Sequence, residues 1–398
     1  MKTAQNGQQI TLYFAGRIDS SNAAETDAEA MEALNGAPDS AVIIDADDLE
    51  YISSAGLRVL LKIAKLRPGL KIVNASREVY EVFEMTGFTN IIPVERALRR
   101  FSVDGCPVIG QGAVGTLYQY DADTIVKVYR ESTALEELEK EREYSRIAFV
   151  HGVPTRISFD IVRVGNCYGM IYEMINSSSM GRLISNDPER VEELAEKFAA
   201  VGKQIHAVDA AGLGIASAKE TYLKAAKNLS PNYTEAENRT IRAWIEAMPE
   251  ATCLVHGDFH PKNIMIQDGE PLLIDMGDIC IGHPLYDYGT ASFVIRWLAP
   301  EIAEKRSGVP RSHAERFWNT FLRANFGDVS QEKLAELDHA IECAALLRAV
   351  VVHGISNSFP QDAIDAGVAV VRESIMPRSE EILETLHGAQ TLFAEFLP

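Results

Sequence analysis

The sequence predicts a multidomain protein in which an α/β domain is followed by a β-rich lobe and then by a helical lobe. Strand-like and helix-like segments alternate through the first hundred residues, which is typical of a sheet covered by helices. Alternating apolar segments joined by tight turns follow from about Val103, and helical patterns dominate after Glu189. We place the three regions at residues 1–98, 99–175 and 176–398.

The first region is predicted to contain a strand followed by repeated βα units. Apolar alternation or a continuous apolar run predicts strands at QITLYFAGRI, SAVIIDA and GLKIVNA. Helices are predicted at SNAAETDAEAMEAL, after the segment YISSAG, and at SREVYEVFEMTGF, where Ser76 is suited to cap the helix. These elements predict a small sheet with helices packed on it.

Composition and charge argue against several classes of partner. The formal net charge of -19 would repel nucleic acid and anionic membranes, because affinity for phosphate comes mostly from clustered Lys and Arg. No apolar run reaches the roughly 20 residues that a bilayer span requires. The start of the chain lacks an export pattern and the five cysteines stand singly, so we expect a cytoplasmic protein with reduced thiols.

The second region is predicted to form a five-stranded sheet with one inserted helix. The helix comes from STALEELEKEREYSRIAFV, and strands are predicted on both sides of it. Before the helix, the motif GQGAVG supplies Gly110, Gly112 and Gly115. Two unrelated nucleotide-binding folds use this glycine pattern, so its context has to decide between them.

The glycine motif lies between two predicted strands. A dinucleotide-binding fold needs a helix after the glycines, whereas here TLYQY alternates, reaches a turn and returns as TIVKVYR. A glycine loop between two strands is the arrangement found in protein kinases. A glycine-rich hairpin without a ligand is the alternative.

Lys127 lies in the returning strand, and its side chain should project away from those of Val126 and Val128. An anion held under the glycine loop is its natural partner. Kinases orient such a lysine with a glutamate from a helix. Glu139 and Glu143 are one turn apart on the inserted helix and share a face, and we predict Glu143 as the partner.

The segment HGDFHPKNIMI carries the most specific pattern in the sequence. Asp258 and Asn263 are five positions apart, as in the kinase catalytic loop, and Asp275 ends an apolar strand seventeen residues after Asp258. Phosphoryl transfer needs a carboxylate to accept or orient the proton of the acceptor hydroxyl. It also needs oxygen ligands that hold Mg²⁺ against the nucleotide phosphates.

Three other polar residues near this pattern are predicted to be structural. His256 and His260 are four residues apart, but Pro261 interrupts any helical period, so a zinc site is not expected. We expect His256 to fix the loop through hydrogen bonds to the backbone. Asp287, in LYDYG, is expected to cap or pair within the helical lobe.

Residues 106 to about 395 resemble the aminoglycoside phosphotransferase and choline kinase group, the protein-kinase-like small-molecule kinases. The resemblance rests on GQGAVG, Lys127, HGDFHPKN, LLIDMGD and GHPLYDYG. It implies a bilobal protein-kinase-like fold, with a β-rich N-lobe and a helical C-lobe, that uses ATP and Mg²⁺. By the same resemblance Asp258 is the catalytic base, and Asn263 and Asp275 bind the metal.

The resemblance also implies how the nucleotide is held. Lys127 and Glu143 would form the pair that grips the phosphates under the glycine loop. The segment YEMI would be the hinge between the lobes, where backbone groups of Glu173 and Ile175 hold adenine.

The acceptor is predicted to be a small molecule rather than a protein. Protein kinases need a long activation segment ending in A-P-E to dock a peptide, whereas here the chain passes from Asp275 directly to GHPLYDYGTASF and into helices. In related enzymes the helices between Ala291 and Phe396 would wall the acceptor pocket. Acidic residues there could bind a cationic sugar or amine, although solvated helix faces are expected for nearly all of them. They include Glu301, Glu304, Asp328, Glu332 and Glu336.

Residues 9 to about 97 resemble the STAS family, the anti-sigma-factor antagonist fold. The resemblance rests on the segments ITLYFAGRIDSSNA, VIIDADDLEYISSAGLRVLLKI and VYEVFEMTGFTNIIPV. In phosphorylated members the motif is Asp-Ser-Ser-Gly-Leu, and the serine before glycine accepts phosphate. Here that position is Ala55 and the aspartate position is Ser53, so the usual switch is not carried over. Ser53 or Ser54 is expected to cap the helix that begins near Gly56. The alternative is that Ser54 accepts a phosphoryl group at the helix N-terminus.

The preferred hypothesis is a phosphotransferase that uses ATP and Mg²⁺ on a small hydroxylated molecule and carries a STAS module for regulation or partner docking. One alternative is a protein kinase that modifies its own or another STAS domain. The other is a pseudokinase scaffold, against which the retained Asp258, Asn263, Asp275 and Lys127 argue.

Overall fold

The computed structural model of the chain describes residues 1–112, 114–174, 177–355 and 359–397. It divides into two compact units. The first comprises Met1–Ser102 with Val162–Asn166, and the second comprises Val103–Ile161 with Cys167–Pro398. The short segment Val162–Asn166 joins the first unit through pairing of Val162 and Arg163 with Arg99 and Arg100, which the sequence did not indicate.

The first unit is a five-stranded sheet with helices between its strands, as the βα pattern predicted. Its strands, in spatial order, are β1 (Lys2–Asn6), β2 (Gln9–Ile18), β3 (Ala41–Ile52), β4 (Lys71–Ala75) and β5 (Val94–Arg96). The helices are α1 (Ala23–Asn35), α2 (Ser54–Leu66) and α3 (Arg77–Met85), and a short strand β6 (Arg99–Arg100) follows. The edge strand β1 runs antiparallel to β2, and the remaining pairs are parallel.

The start of α2 explains the small residues of its motif. Ser53 is the N-cap, because its Oγ accepts a hydrogen bond from the amide of Ala55 at 3.2 Å. The predicted capping role is therefore confirmed for Ser53, whereas Ser54 is the exposed first residue of the helix. A Cβ at Gly56 would lie 2.8 Å from the side chain of Ile18, so this position tolerates only glycine without rearrangement.

The second unit begins with the five predicted strands and the inserted helix. The end of the fourth of these strands, Val162–Val164, belongs to the first unit, where it pairs with β6. The elements are β7 (Val108–Gln111), β8 (Gly115–Gln119), β9 (Thr124–Tyr129), α4 (Leu135–Val150), β10 (Asp160–Val164) and β11 (Cys167–Glu173). The strand order is β7-β8-β9-β11-β10, so β9, which carries Lys127, lies at the centre between β8 and β11.

The rest of the second unit is mostly helical, with short strands that frame the polar segment 252–292. The strands are β12 (Ser178–Ser179), β13 (Cys253–Val255), β14 (Ile264–Gln267), β15 (Glu270–Leu273) and β16 (Cys280–Gly282). The helices are α5 (Met180–Asn186), α6 (Val191–His206), α7 (Ala218–Leu229), α8 (Glu235–Ala247), α9 (Leu285–Ser292), α10 (Pro300–Ser307), α11 (Arg311–Phe326), α12 (Gln331–Ile355), α13 (Gln361–Val370) and α14 (Ser379–Leu392). Nowhere in the described ranges does a helix have the length and apolar character needed to cross a membrane.

An aromatic cluster fixes segment 256–263 onto the helices. Phe259 is fully buried and stacks on Phe198 of α6, with ring centroids 4.3 Å apart. Phe198 also contacts Phe317 and Phe321 of α11 at 5.4 and 5.3 Å. Aromatic side chains of this size contribute heavily to core stability, so the cluster holds the segment on a rigid support.

Candidate active site

The hairpin β14–β15 brings two distant polar residues to one end of the sheet. Ile264 pairs with Leu273, so the residues just outside this pair, Asn263 and Ile274, face each other. The amide of Ile274 donates a hydrogen bond to the carbonyl oxygen of Asn263 at 3.0 Å. Asp275 follows immediately, and the hairpin therefore places Asn263 and Asp275 on neighbouring segments.

Asp258 lies against Asn263 on the other side. The Asn263 side-chain amide donates to the backbone oxygen of Asp258 at 2.9 Å and to its Oδ2 at 3.2 Å, which leaves the amide oxygen of Asn263 for another ligand. His260 Nε2 lies 3.4 Å from the same Oδ2, and Arg348 Nη2 lies 3.7 Å from Oδ1. Burial raises the pKa of the Asp258 carboxyl, but His260 and Arg348 outweigh burial and hold this pKa below its usual range.

Lys127 connects this group to the sheet of the N-lobe. Its Nζ lies 2.7 Å from Oδ1 of Asp275 and 3.4 Å from Oε1 of Glu141. Burial lowers the pKa of the Lys127 ammonium, but the two carboxylates outweigh burial and raise it. Asp275 adopts a left-handed backbone conformation with φ 58°, which is uncommon for a non-glycine residue and marks a constrained position.

The predicted pairing of Lys127 with Glu143 is wrong. Glu143 is exposed and forms an ion pair with Arg146 on its own helix at 2.6 Å. Glu141 is the glutamate that reaches Lys127. Two residues along a helix correspond to about 200° of rotation, so Glu141 and Glu143 point to nearly opposite sides of α4.

Two tyrosines hold Glu141 in place. The Tyr129 hydroxyl donates to Oε2 of Glu141 at 2.8 Å, and the Tyr172 hydroxyl donates to Oε1 at 3.2 Å. Burial raises the pKa of both hydroxyls, so they remain protonated donors. The sequence contained a signal for Tyr129, because residues two apart in a strand share a face and Tyr129 follows Lys127 by two.

The glycine motif forms the predicted connection between β7 and β8. The amide of Gly112 donates to the carbonyl oxygen of Gly115 at 2.9 Å. A Cβ at Gly115 would lie 2.3 Å from the carbonyl oxygen of Val128, and a Cβ at Gly110 would lie 3.1 Å from the side chain of Leu117. Gly112 is different, because its nearest neighbour would be 3.8 Å away. Of these three positions, 115 is therefore the one at which a side chain would clash most severely.

The predicted hinge, residues 172–175, begins with the last two residues of β11. Glu173 is the last residue of the strand, is exposed, and pairs with Thr124 of β9. The next amide, that of Met174, donates to the carbonyl oxygen of Asp123 at 2.7 Å. Ile175, the other predicted adenine contact, lies outside the described residues.

Asp287 fixes the backbone that precedes Asp258. Its fully buried carboxylate accepts hydrogen bonds from the amides of His256 and Gly257 at 2.8 and 2.9 Å and contacts His206 Nε2 at 2.9 Å. Charge-assisted hydrogen bonds of this kind are stronger than neutral ones. Asp287 therefore has a structural role, as the sequence predicted.

His256 locks the same loop from within. Its Nε2 lies 3.0 Å from the carbonyl oxygen of Ile274, and its Nδ1 accepts from the amide of Asp258 at 3.3 Å. The predicted backbone role is confirmed. In the part of the chain that the structure describes, no group of three metal-ligating side chains forms around His256 and His260.

Arg348 is the residue near Asp258 that the sequence analysis missed. It comes from α12, has 8% of its surface exposed, and belongs to no motif. With Tyr222, Gly257 and Asp278 it lines a cavity of about 30 Å³ beside segment 256–263. Burial and the charge of Asp258 both raise the pKa of Asp278.

The acidic residues proposed for a cationic acceptor do not form one pocket. Glu301 and Glu304 line a groove of about 720 Å³ that also contains Arg182, Lys262 and Lys305, so its charge is mixed. The other three are exposed on helix faces or at a turn, as expected for solvated residues. They are Asp328, Glu332 and Glu336.

A β-rich lobe with a glycine hairpin, a helical lobe, and a carboxylate-amide-carboxylate group beside a buried lysine define a kinase-like class of protein. The sequence model of the Phosphotransferase enzyme family matches residues 108–308, and the chain belongs to this family. The model of the STAS domain matches residues 1–100.

A curated relative matches the first unit. It is BtrV of Bordetella bronchiseptica, a protein named as a candidate anti-sigma factor antagonist. The two are 39% identical over 89 residues, which is 21% of this chain and 76% of the relative.

Solved structures with a similar fold include three small-molecule kinases. A choline/ethanolamine kinase family protein from Mesorhizobium loti is 14% identical, with a TM-score of 0.46, covering 71% of this chain and 92% of that chain. A GDP complex of an aminoglycoside 2'-phosphotransferase is 15% identical, with a TM-score of 0.47 and coverage of 76% and 98%. The amicoumacin kinase, in complex with AMP-PNP and Ca²⁺, is 12% identical, with a TM-score of 0.47 and coverage of 76% and 93%.

Proposed function

We propose that this protein transfers the γ-phosphoryl group of ATP to a hydroxyl group of a small molecule in a reaction that depends on Mg²⁺. One observation carries the proposal. Asp258, Asn263 and Asp275, which are separated in the sequence, converge beside the ion pair of Lys127. Family membership supports a phosphotransferase, and this group of side chains supplies the parts that phosphoryl transfer needs.

The donor set is suited to Mg²⁺, which prefers hard oxygen ligands. The amide oxygen of Asn263 and the carboxylate of Asp275 would hold the ion, and the ion would neutralise charge on the phosphate oxygens. Lys127 would bind the phosphates, with Glu141 rather than Glu143 orienting its ammonium. Gly110, Gly112 and Gly115 would cover the phosphates, and backbone groups at Glu173 and Ile175 would bind adenine.

Asp258 is proposed as the catalytic base. Its Oδ2 is engaged by Asn263 at 3.2 Å and His260 at 3.4 Å, whereas Oδ1 has the more distant Arg348 at 3.7 Å, so Oδ1 is the oxygen that would accept the proton of the acceptor hydroxyl. The acceptor oxygen then forms the new bond to phosphorus, the bond between the γ-phosphorus and the bridging oxygen breaks, and ADP leaves. The lowered pKa of Asp258 keeps the carboxylate ionised before the reaction.

The short path after Asp275 supports a small acceptor. Strand β16 ends at Gly282 and helix α9 begins at Leu285, so only the nine residues 276–284 separate Asp275 from the helical core. A peptide-docking platform needs a longer segment. The STAS domain is proposed to dock a protein partner or to regulate the enzyme, which is consistent with the name of its relative BtrV.

A thermal-shift screen tests the proposal. The protein is incubated with Mg²⁺ and a non-hydrolysable ATP analogue, and then with aminoglycosides, choline-like amines, sugars or homoserine. A true ligand should raise the melting temperature by mass action. The same analogue should give no shift in Asp275→Ala. Absence of any nucleotide-dependent shift in the parent protein would overturn the proposal.

A labelling experiment separates a small-molecule kinase from a protein kinase. The full chain is incubated with labelled ATP and Mg²⁺, with and without the acceptor found in the screen. Transfer of label to the small molecule supports the proposal. Label that stays on the chain and disappears in Ser54→Ala would instead favour a protein kinase that modifies STAS domains.

A further inference from the structure

Helices α12 and α14 bring together three metal-ligating side chains far from the glycine motif in the sequence. His339 and Cys343 lie one turn apart on α12, and Glu381 lies on α14. His339 Nε2 is 3.3 Å from Oε1 of Glu381 and 4.0 Å from Sγ of Cys343. The three ligand atoms all lie within 4.8 Å of one another.

These separations are close to those of a zinc coordination sphere. Zinc binds nitrogen and oxygen at about 2.0 Å and sulfur at about 2.3 Å in tetrahedral geometry, which puts neighbouring ligand atoms about 3.3 to 3.6 Å apart. The His339–Glu381 distance already falls in this range. The sulfur of Cys343 lies 4.0 Å from Nε2 of His339 and within 4.8 Å of the Glu381 ligand oxygen, so it has to approach by roughly 0.5 to 1.3 Å, which side-chain rotations would supply.

The surroundings suit a site that is closed on one side. Cys343 is fully buried, whereas the side chains of His339 and Glu381 are each 41% exposed. A metal ion there would be held from within the helix pair and would be open to water at a fourth position. Burial raises the pKa of the Cys343 thiol to about 11, so the thiol carries its proton until a metal ion replaces it.

Arg378 is the charged group that bears most directly on this cluster. Its guanidinium donates to both oxygens of Glu381 at 2.8 and 3.0 Å and also to Glu342 at 2.8 Å. Two carboxylates therefore surround one guanidinium, and the group keeps a net negative charge. A carboxylate oxygen has lone pairs for both a donor and a metal, and hydrogen bonds of this type orient carboxylate ligands.

We propose that His339, Cys343 and Glu381 form a binding site for a borderline transition-metal ion, Zn²⁺ in particular, that fastens α14 to α12. The nitrogen and sulfur ligands distinguish this site from the proposed Mg²⁺ site, whose ligands are all oxygen. The ion would not take part in phosphoryl transfer. Its effect would be to stabilise the packing of α14 on α12, the helix that also carries Arg348.

Co²⁺ is a suitable spectroscopic probe, because a thiolate ligand gives a charge-transfer absorption that oxygen ligands do not. The full chain is titrated with Co²⁺ in the presence of excess Mg²⁺. We expect one equivalent to bind with this absorption, and Zn²⁺ to displace it. Cys343→Ser should abolish the absorption, whereas Cys253→Ser, which changes another buried cysteine, should retain it.

The remaining ligands are tested by matched substitutions at exposed positions. His339→Gln and Glu381→Gln should each weaken Co²⁺ binding at least about tenfold, since even the loss of a residue that only supports a ligand costs that much. His387→Gln, on the exposed side of α14, is the control and should bind like the parent. Zn²⁺ should raise the melting temperature of the parent and of His387→Gln but not of His339→Gln.

Two results would overturn the proposal. One is a parent protein without the thiolate absorption at saturating Co²⁺. The other is an absorption that survives in Cys343→Ser, which would assign the thiolate to another cysteine. Neither result depends on whether the protein is a phosphotransferase.

Discussion

The proposed catalytic loop, residues 256–263, and the glycine hairpin between β7 and β8 would hold the same nucleotide, but the fold supports them differently. His256 and Asn263 are buried, and Asp287 clamps the loop through backbone amides. In the hairpin, Val108 and Ile109 are 57% and 45% exposed. The comparison indicates that buried side chains and hydrogen bonds fix the conformation of the loop. The conformation of the hairpin depends instead on close backbone packing at single glycines. Substitutions should therefore change rate and stability in the first region and nucleotide affinity in the second.

The largest effect is expected for Asp258→Ala. Removing the base should lower kcat by about 10²- to 10⁴-fold, which is the usual contribution of general base catalysis. Nucleotide affinity should stay nearly unchanged, because Asp258 contacts Asn263, His260 and Arg348 rather than Lys127. Steady-state kinetics with the acceptor and calorimetric titration of the nucleotide check the two halves of the prediction. Parent-like turnover would remove Asp258 from the mechanism.

Among substitutions in the glycine hairpin, Gly115→Ala should lower nucleotide affinity the most. The new Cβ would lie 2.3 Å from the carbonyl oxygen of Val128, so the pairing of β8 with β9 has to shift. A displacement of about 1 Å can cost roughly 10²-fold in a preorganised site. Gly112→Ala is the matched control, since its nearest neighbour is 3.8 Å away. Equal affinities in the two variants, measured by nucleotide titration, would contradict the difference between these glycines.

Asp287→Asn should lower stability without touching any proposed ligand. An amide presents one acceptor and one donor, so at least one of the buried amides of His256 and Gly257 loses its partner. An unsatisfied buried group costs about 1 to 3 kcal/mol in the free energy of unfolding. Urea denaturation measures this loss, and Asp328→Asn, at an exposed position, serves as the control. A variant as stable as the parent would show that the clamp is dispensable.

Glu141→Gln should have the smallest effect of the four. It weakens the orientation of Lys127, but Asp275 and the hydroxyls of Tyr129 and Tyr172 remain. We expect kcat/KM for ATP to fall about tenfold, equivalent to ~1.4 kcal/mol. Glu143→Gln changes the same residue type on the opposite side of α4 and should have no effect. A larger fall in kcat/KM for Glu143→Gln than for Glu141→Gln would instead support the pairing of Lys127 with Glu143 that the sequence predicted.

Local patterns predicted the fold and the proximity of Asp258, Asn263 and Asp275. The spacing of Asp258 and Asn263 and the apolar strand before Asp275 are local features. They selected Asn263 and Asp275, which the hairpin β14–β15 brings together, and Asp258, whose carboxylate accepts a hydrogen bond from Asn263. Ser53 was one of two predicted caps for α2 because capping depends on residue type and position alone.

Features that depend on the rotation of a helix about its axis, or on packing between segments distant in the sequence, were not predicted. The partner of Lys127 depended on which side of α4 faces the sheet, and the charged sequence of α4 gives no apolar stripe to decide between Glu141 and Glu143. Arg348 reaches Asp258 from a helix ninety residues further along the chain, so no spacing in the sequence connects them. Its role became apparent only from the packing of α12.

The alanine at position 55 has a consequence for how the STAS unit would signal. Relatives that switch through a serine directly before the glycine alternate between a neutral and a doubly charged surface at the start of this helix. Ala55 cannot acquire that charge, and Ser53 is engaged in its cap. If the STAS unit docks a partner as proposed, a charge switch at this helix start would therefore have to use Ser54, the exposed hydroxyl that remains there.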